Sequence, residues 1–204
     1  MPDDVTPHPA TAQYRAMKHG TKEDYELVMR HFQAFERGLA DRILAMLPQL
    51  AQSYPGEMVN RLVHSLQTAT RAHRDGRDEE FVVAALLHDI GDMLSTVNHS
   101  DYAAAILKPY VRPHIWWMIR EHGLVQGYYY FHHIGLDRNA RDKLRGHAAY
   151  PLCEEFCARY DQTAFDPDYD TMPLEAFAPM VRRLFAREPW GAHTKLDGGY
   201  DSRF

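Results

Sequence analysis

His88 and Asp89 stand side by side at the end of Phe81-Val82-Val83-Ala84-Ala85-Leu86-Leu87, a run with no polar side chain. A helix that is apolar all round is a buried one, so this pair leaves its helix inside the protein. Burying an imidazole and a carboxylate is costly unless something satisfies them. A metal ion does so, and adjacent His and Asp can both reach it where a helix unwinds. Upstream, His64 lies among Leu62, Val63 and Leu66 and reads as a second inward-facing imidazole. The chain holds 13 histidines, eight of them between His64 and His133. A lone His-Asp dipeptide is weak evidence, and a single core histidine is more often satisfied by backbone. The buried helix, His64 and a later Asp together point to metal chemistry.

The elements that must position these groups read as helices. Tyr25, Val28, Phe32, Phe35, Leu39, Ile43 and Leu47 recur at spacings of three and four, which predicts an amphipathic helix over 24–47. Pro48, Ser53, Pro55 and Gly56 break the pattern. A second helix is expected over 57–73, ending in a basic turn and Gly76. The buried helix is expected over 78–89, with Asp78 as its N-cap and Glu79 and Glu80 in its first turn. Further helices fit 101–108, 115–122, 139–144, 148–161 and 174–186. No alternating run of strand length stands out, so the fold class is all-α.

Composition narrows the function. The 204 residues suggest one domain over 21–204 behind a flexible tail, residues 1–20, which holds three prolines and no hydrophobic period. Lys and Arg number 23 against 28 Asp and Glu, a net charge of −5, which leaves no electrostatic footprint for nucleic acid. No run approaches the roughly 20 apolar residues of a membrane helix. The acidic, proline-containing N-terminus does not read as a secretory signal. Cys153 and Cys157 are too few for a disulfide scaffold and read as packing groups of a reduced, cytoplasmic protein. The partner expected is a small-molecule substrate, with no nucleic acid and no membrane; the sequence leaves the oligomeric state open.

The stretches His64-Ser65-Leu66-Gln67-Thr68-Ala69 and Ala84-Ala85-Leu86-Leu87-His88-Asp89-Ile90-Gly91 resemble the HD-domain superfamily, a helical bundle whose His, His-Asp and distant Asp bind metal. More narrowly, the chain resembles the HD-domain mixed-valent diiron oxygenases, the group of myo-inositol oxygenase and the phosphonate-cleaving oxygenases. Three features carry this. Extra histidines, His99, His114, His122, His132 and His133, lie between the His-Asp pair and the final Asp. Tyr54 and Glu57 stand three apart with His64 seven further on, as in the phosphonate enzymes. Asp161 lies in Arg159-Tyr160-Asp161-Gln162, much like the segment that supplies the last ligand. The resemblance covers about residues 54–172. It implies an HD-type helical bundle with additional helices, two Fe ions in a mixed-valent Fe(II)/Fe(III) state, and O2 as co-substrate. By position, His64, His88, Asp89 and Asp161 would hold one iron and His99 and His122 the other, with Asp89 bridging. His114, after Pro113, competes with His122 for the second iron. His132 and His133 are expected as pocket groups, with Tyr129 in the same aromatic segment.

Two departures bear on substrate. The residue three after the His-Asp pair touches substrate in both branches of the group, as Lys or His; here it is Asp92. A Lys four residues after the second-iron His in the phosphonate enzymes is Gln126 here. Both changes remove positive charge. They favour a small hydroxylated substrate that is neutral or carries an amine or quaternary ammonium, cleaved at a C–C or C–P bond. Asp92 and the Tyr128–Tyr130 cluster could hold such a cation; equally, Asp92 faces solvent and the tyrosines are core. Tyr54 and Glu57 are read as catalytic by the resemblance, and as a turn and a helix-start acid without it. The rival function is an HD metal-dependent phosphohydrolase acting on a nucleotide or phosphomonoester, in which metal-bound water attacks phosphorus. A degenerate, non-enzymatic HD domain is disfavoured by the presence of His64, His88, Asp89 and Asp161 together.

Overall fold

Asp78 starts the central element: its side chain accepts from the Phe81 amide, and the chain winds into a helix of nine residues, Glu79–Leu87, whose side chains from Glu80 to Leu87 are all buried. In chain order the helices are α1 (Lys22–Glu36), α2 (Leu39–Met46), α3 (Arg61–Arg74), α4 (Glu79–Leu87), α5 (His99–Leu107), α6 (Pro113–Tyr130), α7 (Tyr150–Phe156) and α8 (Leu174–Phe185). The computed structural model describes residues 11–195. Residues 1–10 of the expected tail lie outside the described residues. Among the described residues there are short 3-10 turns but no strand, so the fold is all-α.

α4 lies at the centre, packed between α3, α8 and α6; α5 packs on α6, and α6 on α7. The core joins Leu86 and Leu87 to Ala69 and Ala72 of α3, Met118 and Ile119 of α6, Phe156 of α7 and Phe177 and Val181 of α8, all fully buried. Burial at roughly 25 cal/mol per Å² of apolar surface drives this packing. Within it, a group of buried imidazoles and carboxylates gathers at the point where α4 ends.

Several boundaries differ from the sequence expectation. The helix expected over 24–47 is two helices, broken at Arg37-Gly38. α2 buries Ala40 and Ile43, whereas α1 buries none and presents Val28, Phe32 and Phe35 at the surface. α3 starts at Arg61, capped by the Asn60 side chain on the Val63 amide, so 57–60 is not helical. α6 runs 18 residues, through Gly123 and Gly127, where 115–122 was expected. Its glycines serve close packing: a Cβ at Gly123 would stand 2.8 Å from Ser100 Oγ, and one at Gly127 2.4 Å from the Phe131 ring.

Candidate metal centre

Five elements converge where α4 ends. His88 takes up helical backbone angles as the C-cap, while Asp89, with φ −104° and ψ 11°, leaves the helix. A 3-10 turn, Ile90–Met93, follows. His64 comes from α3, His99 from the first position of α5, and His122 from the middle of α6. Asp161 closes a π-helical turn, Cys157–Asp161, that widens the end of α7; the Gln162 amide donates to the Cys157 carbonyl five residues back. His64, His88, Asp89, His122 and Asp161 are all at most 4% exposed. His99 is the most open of the set, its side chain 26% exposed.

The hydrogen bonds fix the tautomers. Nδ1 of His64 lies 3.1 Å from the Ala164 carbonyl, that of His88 2.8 Å from Ala85, that of His99 3.1 Å from Thr96 and that of His122 2.6 Å from Ile119. A carbonyl only accepts. Each Nδ1 therefore carries its proton, and each Nε2 of a neutral ring presents a lone pair. These lone pairs meet. His64 Nε2 and His88 Nε2 are 3.0 Å apart, 3.2 and 3.7 Å from Asp161 Oδ1, and 3.4 and 3.3 Å from Asp89 Oδ2. His99 Nε2 and His122 Nε2 lie 3.4 and 3.5 Å from the other oxygen, Asp89 Oδ1. Lone pairs and carboxylates packed this closely repel unless a cation joins them. Two donors each about 2.1 Å from one ion, and at right angles, stand about 3.0 Å apart. The residues fit metal ions of that kind.

The electrostatics agree. Burial opposes every charge here, yet the Asp89 carboxylate is held well below its usual range by His88 and the other imidazoles. Asp161 is lowered too, by hydrogen bonding to His64 and His88 against the same burial. His88 is raised to about 9, with Asp89 and Asp161 outweighing its desolvation. The cluster demands positive charge, as bound protons or as metal.

A cavity of about 380 Å³ opens over this cluster, lined by Tyr54, Glu57, Asp92, Gln126, Tyr129 and Tyr130 among others. It also contains a group the sequence reading missed. Arg61, 9% exposed, donates from Nη1 to Asp89 Oδ2 at 3.2 Å, and it pairs through Nε with Asp92 Oδ2 at 3.1 Å. Nη2 reaches Glu57 Oε2 at 3.1 Å and the Tyr54 hydroxyl. Its signal was present: Arg61 is three before His64, on the same helix face, and four after Glu57. Phe165, also not anticipated, stacks on the His64 ring with centroids 4.4 Å apart. Burial, the dominant effect, and the nearby carboxylates push the Tyr54 hydroxyl up to about 12 despite Arg61.

Some expected groups lie elsewhere. His132 and His133 are exposed, in a 3-10 turn after Tyr130, with their rings tilted against each other, centroids 3.9 Å apart, and neither lines the cavity. The chain leaves the bundle at Phe131 and carries them outward. Tyr128 faces away as well, between the guanidiniums of Arg138 and Arg141. His114 lies in a separate groove with Trp117 and His147, so the cluster contains His122. Asp92 lines the cavity, but its side chain is 2% exposed and already paired with Arg61. Burial first, then the Asp89 charge, raise its pKa.

The HD-domain family model matches residues 61–159. This segment is similar to HD domains. The match begins at Arg61 and takes in His64, His88, Asp89, His99 and His122, while Asp161 follows two residues beyond it. A relative from Leisingera caerulea, [1-hydroxy-2-(trimethylamino)ethyl]phosphonate dioxygenase (glycine-betaine-forming), is 29% identical over 162 residues, spanning 65% of this chain and 83% of the relative. The HD-domain match, this oxygenase relative and the buried His/Asp cluster suggest an enzyme whose cluster is compatible with metal. Among the described residues no helix is long and apolar enough to cross a membrane.

Proposed function

We propose that this chain is an O2-dependent nonhaem diiron oxygenase that cleaves a small hydroxylated substrate bearing an ammonium group. One observation carries the reading: the two oxygens of a single carboxylate, Asp89, each face a pair of imidazole Nε2 lone pairs. A mononuclear site has no use for the second pair. His64, His88, Asp161 and Asp89 Oδ2 would hold one iron, and His99, His122 and Asp89 Oδ1 the other. Iron bound there supplies redox chemistry with O2 that removes hydrogen from a substrate carbon and opens an adjacent C–C or C–P bond.

The chain's own groups do the rest. Glu57, Asp89 and Asp92 pair with one guanidinium, Arg61, and Asp161 lines the same cavity. These carboxylates outnumber the guanidinium, and iron held there would offset their charge and allow an anionic substrate group in the cavity. Glu57, though paired with Arg61, keeps its side chain 41% accessible, unlike Asp92, and lines the cavity together with Tyr54, Tyr129 and Tyr130. A carboxylate beside aromatic faces suits an amine or quaternary ammonium. The substrate named in the relative's description has both ends, a phosphonate and a trimethylamino group. Asp92, neutralised by Arg61, acts in this reading through Arg61 and not as the cation's partner.

The test is metal content of anaerobically purified protein, then oxygen consumption over hydroxylated phosphonates with amino or trimethylamino groups, an unsubstituted hydroxyphosphonate and a polyol. Two irons per chain and fastest turnover on an ammonium-bearing substrate are expected. A single zinc or manganese, no oxygen uptake, and hydrolysis of a phosphomonoester would replace the oxygenase with the HD phosphohydrolase.

A further inference from the structure

Asp89 has four imidazoles around it, yet none of them donates a hydrogen bond to it when neutral, because all four Nδ1 protons are committed to backbone carbonyls. Among the described residues, the one remaining donor to this carboxylate is Arg61, from Nη1 to Oδ2 at 3.2 Å. Arg61 is itself held by Asp92 on Nε and by Glu57 and Tyr54 on Nη2. A guanidinium is a planar fork, so bonds on all three nitrogens fix its orientation as well as its place. The plane of the Asp89 carboxylate decides which oxygen faces His64 and His88 and which faces His99 and His122.

We propose that Arg61 is a positioning residue of a two-metal centre: it holds the Asp89 carboxylate in the bridging orientation and thereby controls occupancy of the second metal position. This rests on the two-metal reading above. The two positions differ in what they lose if Asp89 turns. The first keeps His64, His88 and Asp161. The second keeps only His99 and His122. The second position therefore empties first, although Arg61 touches the oxygen that faces the first. Charge alone predicts the opposite, since removing a buried cation should tighten cation binding everywhere.

The experiment titrates the metal-free full chain with Mn2+, counting free ion by electron paramagnetic resonance and watching for the spectrum of an exchange-coupled pair. Arg61→Lys keeps the charge without the fork, and Arg61→Leu removes both. In each, affinity for the second Mn2+ should fall about 10- to 100-fold, with the coupled signal lost and the first Mn2+ changed far less. Glu57→Gln, which loosens the guanidinium at Nη2 without touching Asp89 or the imidazoles, should move the second affinity the same way by less, and it serves if the Arg61 variants do not fold. Unchanged or tighter binding of the second Mn2+, or rescue by Arg61→Lys, overturns the proposal. A wild-type chain that binds one Mn2+ overturns the two-metal reading, and this proposal with it.

Discussion

Stripping the metal should give this protein a stability that falls as pH rises. In the metal-free state the His88 pKa is raised to about 9 from 6.5, with Asp89 and Asp161 overcoming burial. Its folded pKa exceeds its unfolded one, so the stabilisation is fully present below pH 6.5 and is lost as pH climbs through about 9. At 1.36 kcal/mol per pKa unit, that shift corresponds to about 3 kcal/mol. For a chain of this size each kcal/mol moves Tm by about 2–4 °C, so Tm of the chelated protein should drop by about 6–12 °C between pH 6.5 and 9. The metal-loaded protein should behave oppositely. Its imidazoles are neutral as ligands, and protons compete less as pH rises, so the gap between loaded and chelated Tm widens with pH. Differential scanning calorimetry with and without chelator measures both curves, and His88→Gln should flatten the chelated one. A chelated wild-type protein whose Tm is flat or rising across this window would show that the empty cluster holds no proton, and the electrostatic reading would fail.

Asp89→Ala should lose both metals, whereas His122→Ala should lose mainly one, as counted by elemental analysis; equal losses would break the bridging assignment. Gly91→Ala would place a Cβ 2.7 Å from the His99 carbonyl oxygen and 2.8 Å from its Cα. It should push the start of α5 away, destabilise by about 1–3 kcal/mol and lower second-metal occupancy, which chemical denaturation and metal counting would detect. His132→Ala and His133→Ala should leave turnover within about 2-fold, since exposed positions away from special features change little; a loss of ten-fold or more in oxygen uptake would return them to the site.

What could be read from the sequence follows from how local each signal is. The buried helix α4, its Asp78 cap and the His88-Asp89 pair were legible because hydrophobic pattern and capping act within a few residues. His64 was legible for the same reason. The length of α6 was not, because glycine disfavours a helix by about 1 kcal/mol, and Gly123 is explained by its approach to Ser100 of α5 and Gly127 by the Phe131 ring at the end of the helix. Arg61 looked like an ordinary polar start to α3. Its role depends on Tyr54, Glu57, Asp89 and Asp92 meeting in space, and on α3 starting four residues later than expected. His132 and His133 misled because a histidine's usefulness depends on where the chain turns after Tyr130, which their identity does not reveal.

The wide turn at the end of α7 has a consequence for how this protein can vary. Asp161 reaches His64 only because Cys157–Asp161 holds one more residue per turn than an ordinary helix would. Each residue of an α-helix turns the chain by about 100°. Inserting one residue into 157–160 would turn the next carboxyl by about 100° and swing it out of the cluster, with every ligand identity intact. A scan by substitution would register the buried Cys157, Tyr160 and Asp161 but not the spacing between them. A single-residue insertion would find it unforgiving, because it encodes a count as well as side chains.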